Sequence, residues 1–369
     1  MGGRAGGLTV AFVAAAAHTV GHAAAEAPPV PTFELVKALD LPVIGAVEGK
    51  AHTINGGFEG GLYMRTADGE YHMFPTECMS DMPGVPWDIH TESHHWVSPD
   101  GVNNWTQAEL VFNSSARRDG SDRRGAMFAP MPIFDPDGGR FVMFYVGYTC
   151  HPGQADGAIY AVRSGTAGPA GIGGPYPPAS ASIVLDEEMG LKEPWEGRQG
   201  DDSFFAWQLD NGTWMAFYGS HGSIENQWQV GLASAPSLGG PWGRCPWLNP
   251  ATYIENPEGI ENPVVTRTTD RSVAATYVAV YDALLPDQID GHAEVVGVSQ
   301  SVDGVHWSRH QYVGLNASAA GCGKPVRTPL GLVPEPARCK GCYSMLYTGQ
   351  DDAGYRNVCW VLLRNKAEA

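Results

Sequence analysis

Three carboxylates stand in short glycine-bearing segments: Glu59 in Phe58-Glu59-Gly60-Gly61, Asp202 in Gly200-Asp201-Asp202-Ser203, and Glu261 in Gly259-Ile260-Glu261-Asn262-Pro263. Brought into one cleft, such groups cannot all ionise freely, and their proton affinities are driven apart. One can then donate a proton while another stays ionised as base or nucleophile. A carboxyl pair of that kind, flanking the scissile bond, is what glycosidic cleavage requires. Plainer readings stand beside this one. Glu261 could accept backbone N–H groups at a strand start, Asp202 could cap the Gly200 turn, and Asp201 competes with Asp202 for the same role.

Sugars also need aromatic faces and fixed polar partners. Trp87, Trp195 and Trp228 fall in loops suited to stacking, and Arg198, just ahead of Gly200, could bond a hydroxyl. Lys324 is either a counter-ion to the acids or a substrate contact. Trp214 and Trp307 fit a packed interior better. His90, His94 and His95 cluster, but strand alternation sends His94 and His95 to opposite faces, so no metal site is expected there. Cys339-Lys340-Gly341-Cys342 is a lone pair without a histidine at zinc spacing. It reads as a local disulfide or two buried thiols.

The elements that must position these residues come from a repeat. An apolar, tyrosine-rich strand recurs at Tyr71–Phe74, Phe141–Tyr148, Trp214–Ser220, Tyr277–Tyr281 and Tyr343–Gly349. A turn precedes each copy, with Asp68-Gly69, Asp137-Gly138 and Asn211-Gly212 giving strong hairpin signals. Ahead of each turn lies another short strand: Gly61–Arg65, Met131–Phe134, Ser203–Gln208, Pro263–Arg267 and Pro325–Val333. A third strand follows each hairpin. Twice it ends in an aspartate-glycine turn and a tryptophan, Ser98-Pro99-Asp100-Gly101 to Trp105 and Ser301-Val302-Asp303-Gly304 to Trp307. Looser copies end at Trp242 and Tyr176.

Counting from Glu59, Ala129, Asp202, Glu261 and Lys324, the copies are about 60 to 70 residues apart, a repeat-protein interval. A four-stranded antiparallel unit cannot bury both faces alone, so the copies must stack around an axis. The expected fold is all-β: a single five-bladed β-propeller of four-stranded antiparallel blades over residues 28–369. Each blade's first strand is innermost, which places those five equivalent residues around a central funnel.

At this point the segments resemble a known family, the five-bladed propeller glycoside hydrolases of the arabinanase/β-xylosidase group and the related invertase/levanase group. Asp201-Asp202-Ser203-Phe204-Phe205 is similar to the strand carrying the family's second acid, and Ile260-Glu261-Asn262-Pro263 to that of its general acid. Phe128-Ala129-Pro130-Met131 is similar to the non-catalytic strand of blade two. The resemblance implies Glu261 as proton donor, Asp202 as the residue that orients the sugar and raises the donor's pKa, and Glu59 as base or nucleophile. It departs in two places: Glu59 stands where the family has Asp, and Met131 where it has an acid. It also makes a central structural calcium plausible; no other cofactor is expected.

Composition narrows the field. The 369 residues include 47 glycines and 28 prolines, aromatics make up 10% and charged residues 17%, so turn-rich β-structure is favoured over disorder. A net charge of -17 argues against nucleic acid as partner and leaves a carbohydrate substrate in view. Residues 1–27, with Arg4, an alanine-rich apolar run and small residues before Ala25 and Ala27, read as a secretory signal peptide. No later stretch would span a membrane. Sequons at Asn104, Asn113, Asn211 and Asn316, with seven cysteines, agree with an extracellular destination. Two other classes remain open: a lectin-like propeller that binds glycans without cleaving them, and a lyase, isomerase or phosphorylase on the same scaffold.

Overall fold

The computed structural model describes residues 30–45, 57–79, 89–152, 154–186, 192–221, 228–249, 259–268, 276–284, 295–315, 322, 326–350 and 356–368. The chain begins with β1 (Phe33–Ala38), whose partner comes last. Blade one follows as β2 (Gly57–Arg65), β3 (Tyr71–Cys78), β4 (Thr91–Ser98) and β5 (Thr106–Asn113). Blade two is β6 (Ala126–Asp135), β7 (Arg140–His151), β8 (Gln154–Arg163) and β9 (Ser182–Leu185). Blade three is β10 (Asp202–Gln208), β11 (Trp214–His221), β12 (Trp228–Ala235) and β13 (Gly243–Arg244), and blade four is β14 (Gly259–Arg267), β15 (Tyr277–Leu284), β16 (Val295–Ser301) and β17 (Gln311–Gly314). Blade five is β18 (Val326–Pro334), β19 (Cys342–Gln350) and β20 (Arg356–Asn365). Every blade is a four-stranded antiparallel sheet. This is the expected five-bladed β-propeller.

One strand was not expected from the sequence. β1 pairs with β20, Phe33 opposite Asn365 and Ala38 opposite Val361, and so supplies the outermost strand of blade five. The ring therefore closes by hydrogen bonds between the two ends of the chain. Blade five is also stapled covalently. Cys322–Cys359 ties the approach to β18 onto β20, and Cys339–Cys342 bridges the turn into β19, which decides the CxxC alternative for a disulfide.

Second strands such as β7 are buried along almost their whole length because each blade stacks against two others, covering both faces. The tryptophan or tyrosine after the third strand of blades two, three and four fills the seam toward the preceding blade. Trp307 of blade four meets Trp207 and Phe217 of blade three at 5.7 and 5.1 Å. Trp242 of blade three meets Phe144 of blade two at 6.2 Å, and Tyr176 of blade two clusters with Phe74 of blade one. Trp214 and Trp307 are core residues, as expected. The turns after the third strands of blades one and four are built alike: Asp100 Oδ1 accepts the Val102 and Asn103 N–H groups, and Asp303 Oδ1 those of Val305 and His306.

Candidate active site

The innermost strands share one irregularity that decides what faces the axis. Each is bulged near its start, with register shifts after Glu59, Phe128, Asp202, Glu261 and, in blade five, Pro329. A bulge re-aims the residue beside it and ends regular pairing. In blades two, three and four the following residue, Ala129, Ser203 or Asn262, has a positive φ of 50, 54 or 51°. Such left-handed backbone costs a non-glycine residue on the order of 1–3 kcal/mol, and this kind of strain clusters at functional sites.

The bulge also corrects two of the expected equivalences. In blade two the position matching the acids belongs to Phe128, with Ala129 taking the strained position; in blade five it belongs to Thr328, opposite Thr348. Pairing register shows this, and sequence spacing, blind to an inserted residue, does not. Lys324, assigned to blade five by spacing, lies outside the described residues, as does Trp87.

Glu59, Asp202 and Glu261 line a single cavity of about 230 Å³ at the heads of the inner strands, together with Phe128, Tyr148 and Trp228. Asp202 Oδ1 accepts the Ser203 N–H and Oδ2 the Tyr148 hydroxyl, each at 2.5 Å. Gln199 Nε2 donates to the Tyr148 oxygen at 3.3 Å. Burial raises the Asp202 pKa above the usual carboxylate range, the Tyr148 and Ser203 donors pull it back, and the Glu59 charge pushes it up again. Glu59 is ion-paired with Arg356, which enters from the start of β20, a blade away, and also touches Cys78 Sγ at 3.5 Å. A guanidinium in contact favours the ionised carboxylate. Glu261, 5% exposed, sits opposite Asp282 on β15.

Below the acids the axis is closed by side chains bonded from blade to blade. Thr76 Oγ1 donates to Gly60 O and accepts the Ala129 N–H, each at 2.9 Å. Ser203 Oγ donates to Asn262 Oδ1 at 2.8 Å, while Asn262 Nδ2 and Thr328 Oγ1 donate to Asp282 Oδ2 at 3.0 and 3.2 Å. The acids thus sit on a floor that fixes their backbone. Among the described residues no group of three or more His, Cys, Asp or Glu side chains could hold a metal ion. The described floor groups bond to one another from blade to blade. A larger cavity of about 590 Å³ opens at the other end of the axis, but its lining, including Leu62, Phe205, Val264 and Leu332, contains no carboxylate.

Not every expected site residue reaches the funnel. Asp201 points the opposite way from Asp202, as strand alternation demands, and is bound to Arg244 at 2.8 Å. Trp195, 3% exposed, packs on Tyr218 at 5.5 Å as a core residue. Arg198 is exposed and outside the cavity lining, where Gln199, one residue on, takes its place. Trp228 does line the cavity. His94 is bound to Glu77 at 3.2 Å, and His95 is stacked on Phe74 at 4.6 Å; neither lines the cavity. Tyr148, Gln199 and Arg356 were missed. Tyr148 reads as one more core aromatic of its strand, and only the pairing across blades brings Arg356 to Glu59.

No protein-family model matches the chain. No curated protein matches it either. Solved structures do. BT0996, in a complex with RGII, is 14% identical over 91% of this chain and 92% of its own, with a TM-score of 0.60. Zg3597, a family 117 glycoside hydrolase produced by the marine bacterium Zobellia galactanivorans, is 15% identical over 91% of both chains, with a TM-score of 0.55. A GH62 hydrolase in complex with xylotriose is 10% identical over 89% of this chain and 96% of its own, with a TM-score of 0.53. The chain shares its fold with glycoside hydrolases. At these identities the likeness is one of fold, so the argument for chemistry rests on the funnel itself.

Proposed function

We propose that the protein hydrolyses a glycosidic bond in an oligo- or polysaccharide, and that it does so in the extracellular space. The observation that carries this reading is the convergence of Glu59, Asp202 and Glu261 on one cavity from three separate blades. Glu261 donates a proton to the leaving oxygen. Glu59, kept ionised by Arg356, activates water or attacks the anomeric carbon. Asp202 does no proton transfer in this scheme. Held at both oxygens by Tyr148 and Ser203, it fixes the sugar and biases the donor toward its protonated form. Phe128 and Trp228 offer aromatic faces to the ring. The alanine-rich segment of residues 1–27, the Cys322–Cys359 disulfide and the exposure of Asn104, Asn113 and Asn211 support the secretory route.

Glu261→Gln tests the assignment. On a panel of aryl glycosides and plant-wall oligosaccharides, release of reducing ends should fall by about 10²- to 10⁴-fold, the usual worth of a general acid. Circular dichroism and melting should stay near wild type. Unchanged turnover in the variant removes Glu261 as the donor. A second reading, glycan binding without cleavage, draws on the Arg356 ion pair, which ties up the carboxylate that would have to act as base. Retention of glycans on an array without any reducing-end release would favour it.

A further inference from the structure

Behind the funnel wall of blade three lies a second cluster of charges that the proposed chemistry does not use. Arg244, on the outermost strand of that blade, reaches inward with its side chain 5% exposed. Its Nε and Nη2 bond the two Glu196 oxygens at 2.7 and 3.0 Å, and Nη2 also bonds Asp201 Oδ2 at 2.8 Å. Nη1 and Nη2 both donate to the Asp186 carbonyl at 3.2 Å. The guanidinium lies over the Tyr218 ring at 5.5 Å, and the Tyr218 hydroxyl donates to Glu196 at 2.8 Å. One cation is shared by two carboxylates, both almost completely buried.

The segment they hold is the one that delivers Gln199 and Asp202 to the cavity. Its inner side is strapped to blade two, where Gly157 N–H donates to Gln199 O at 2.8 Å and Asp201 N–H to Gly157 O at 3.0 Å. Ser220 Oγ donates to Gly200 O at 2.8 Å. At Gly200 the backbone has a φ of 75°, and a Cβ there would stand 2.3 Å from Gly157 O, so the strap needs glycine at that point. Asp201 and Asp202 are adjacent and face opposite ways; whatever grips the first aims the second.

We propose that Arg244, Glu196 and Asp201 form a positioning latch that sets the direction of Asp202 and Gln199 at the funnel wall, and that the latch loosens as pH rises. This rests on the glycosidase reading only for its effect on turnover. Well-packed apolar groups often replace a buried ion cluster at no cost in stability, so such a cluster is best explained by the geometry it specifies. The groups facing Asp201 are Arg244 from β13, Glu196 from the preceding loop, Asp186 after β9 and Tyr218 from β11, with Glu193 beside Glu196 and Arg123 3.9 Å from Asp186. Burial pushes the Asp201 carboxyl up to about 8, against the pull of Arg244 and with the push of Glu196 and Asp186. Opening the latch returns the carboxyl to the ordinary carboxylate range. The closed form therefore binds the extra proton between about pH 4 and 8, and across that window opening gains up to about tenfold per pH unit.

The test is hydrogen–deuterium exchange of the full chain over residues 192–202 at pH 5, 6, 7 and 8, corrected for intrinsic rates, in the wild type and Asp201→Asn. Exchange in the wild type should accelerate with pH, and in Asp201→Asn the acceleration should be lost. Equal pH dependence in the two proteins overturns the latch. Arg244→Lys, which keeps the charge but not the fork, should lower kcat about tenfold or more on the aryl-glycoside panel with little change in melting temperature. Unaltered kcat in that variant overturns the positioning role. If the wild type turns over nothing on the panel while the exchange difference appears, the glycosidase reading fails and the latch stands.

Discussion

Blades one and three present an acid to the same cavity, but they distribute their arginines in opposite ways. In blade one the acid that faces the funnel, Glu59, takes the guanidinium itself, from Arg356. In blade three the arginine goes to the outward neighbour Asp201, and Asp202 is left with two neutral donors, the Tyr148 hydroxyl and the Ser203 N–H. Burial pushes Asp202 toward protonation against the pull of its two neutral donors, whereas Glu59 has a guanidinium in contact that favours its charged form. The placement of cations therefore separates roles among acids that look alike in sequence.

Breaking the blade-one arrangement should have the largest effect. Arg356 is 5% exposed, and removing it as Arg356→Met takes the guanidinium away from the Glu59 carboxylate, which typically costs about 3–5 kcal/mol for a buried pair. Turnover should be lost along with that stability. The double variant Glu59→Gln/Arg356→Met removes both charges and should recover most of the melting temperature while remaining inactive. Thermal melts of the two proteins decide this: if the double variant is no more stable than Arg356→Met, the pair does not hold the seam between blades one and five.

The neutral arrangement in blade three can be probed more gently. Tyr148→Phe removes one hydrogen bond to a buried carboxyl, worth about 1.5–3 kcal/mol when the acceptor is charged. The ionised form of Asp202 loses support, so its pKa should climb further, and the acid limb of the pH–rate profile should move to higher pH with roughly a tenfold fall in kcat at neutral pH. A profile superimposable on wild type would show that Asp202 does not depend on Tyr148 for its charge state.

How far the sequence carries this contrast depends on whether the signal is local. The five hairpins and their seam tryptophans were legible because turn residues and alternation act over a few positions. So was the fact that Glu59, Asp202 and Glu261 share a ring, since a repeat projects equivalent positions onto one axis. Phe128 was misassigned by one residue because a bulge leaves no reliable local mark, and β1 was missed because its partner lies at the far end of the chain. Both arginines were unreadable for the same reason. Arg356 is 297 positions from Glu59 and Arg244 is 43 from Asp201, and nothing near either acid announces its cation.

The same two blades also bury their remaining titratable groups in ways that predict opposite responses to pH. Blade one hides histidines without charge. His72 Nδ1 lies 2.9 Å from His95 Nε2, with Thr66 Oγ1 3.0 Å from its other nitrogen. Burial pushes the His72 pKa down to about 4, and the His95 imidazole beside it adds to the shift. The unfolded chain, with a histidine near 6.5, binds more protons between those values, so stability is complete above about pH 6.5 and drains away as pH falls toward 4. Asp201 in blade three does the reverse, weakening its blade as pH rises through the same region. Melting curves from pH 4 to 8 for the wild type, His72→Gln and Asp201→Asn separate the two. His72→Gln should lose less stability than the wild type as pH falls below 6.5, with its deficit shrinking by about 1–2 °C for each kcal/mol no longer lost; Asp201→Asn should remove the decline that the wild type shows as pH rises toward 8. Matching slopes in the wild type and His72→Gln below pH 6.5 would show that the histidine pair is not held neutral, and the contrast between the blades would then rest on the arginines alone.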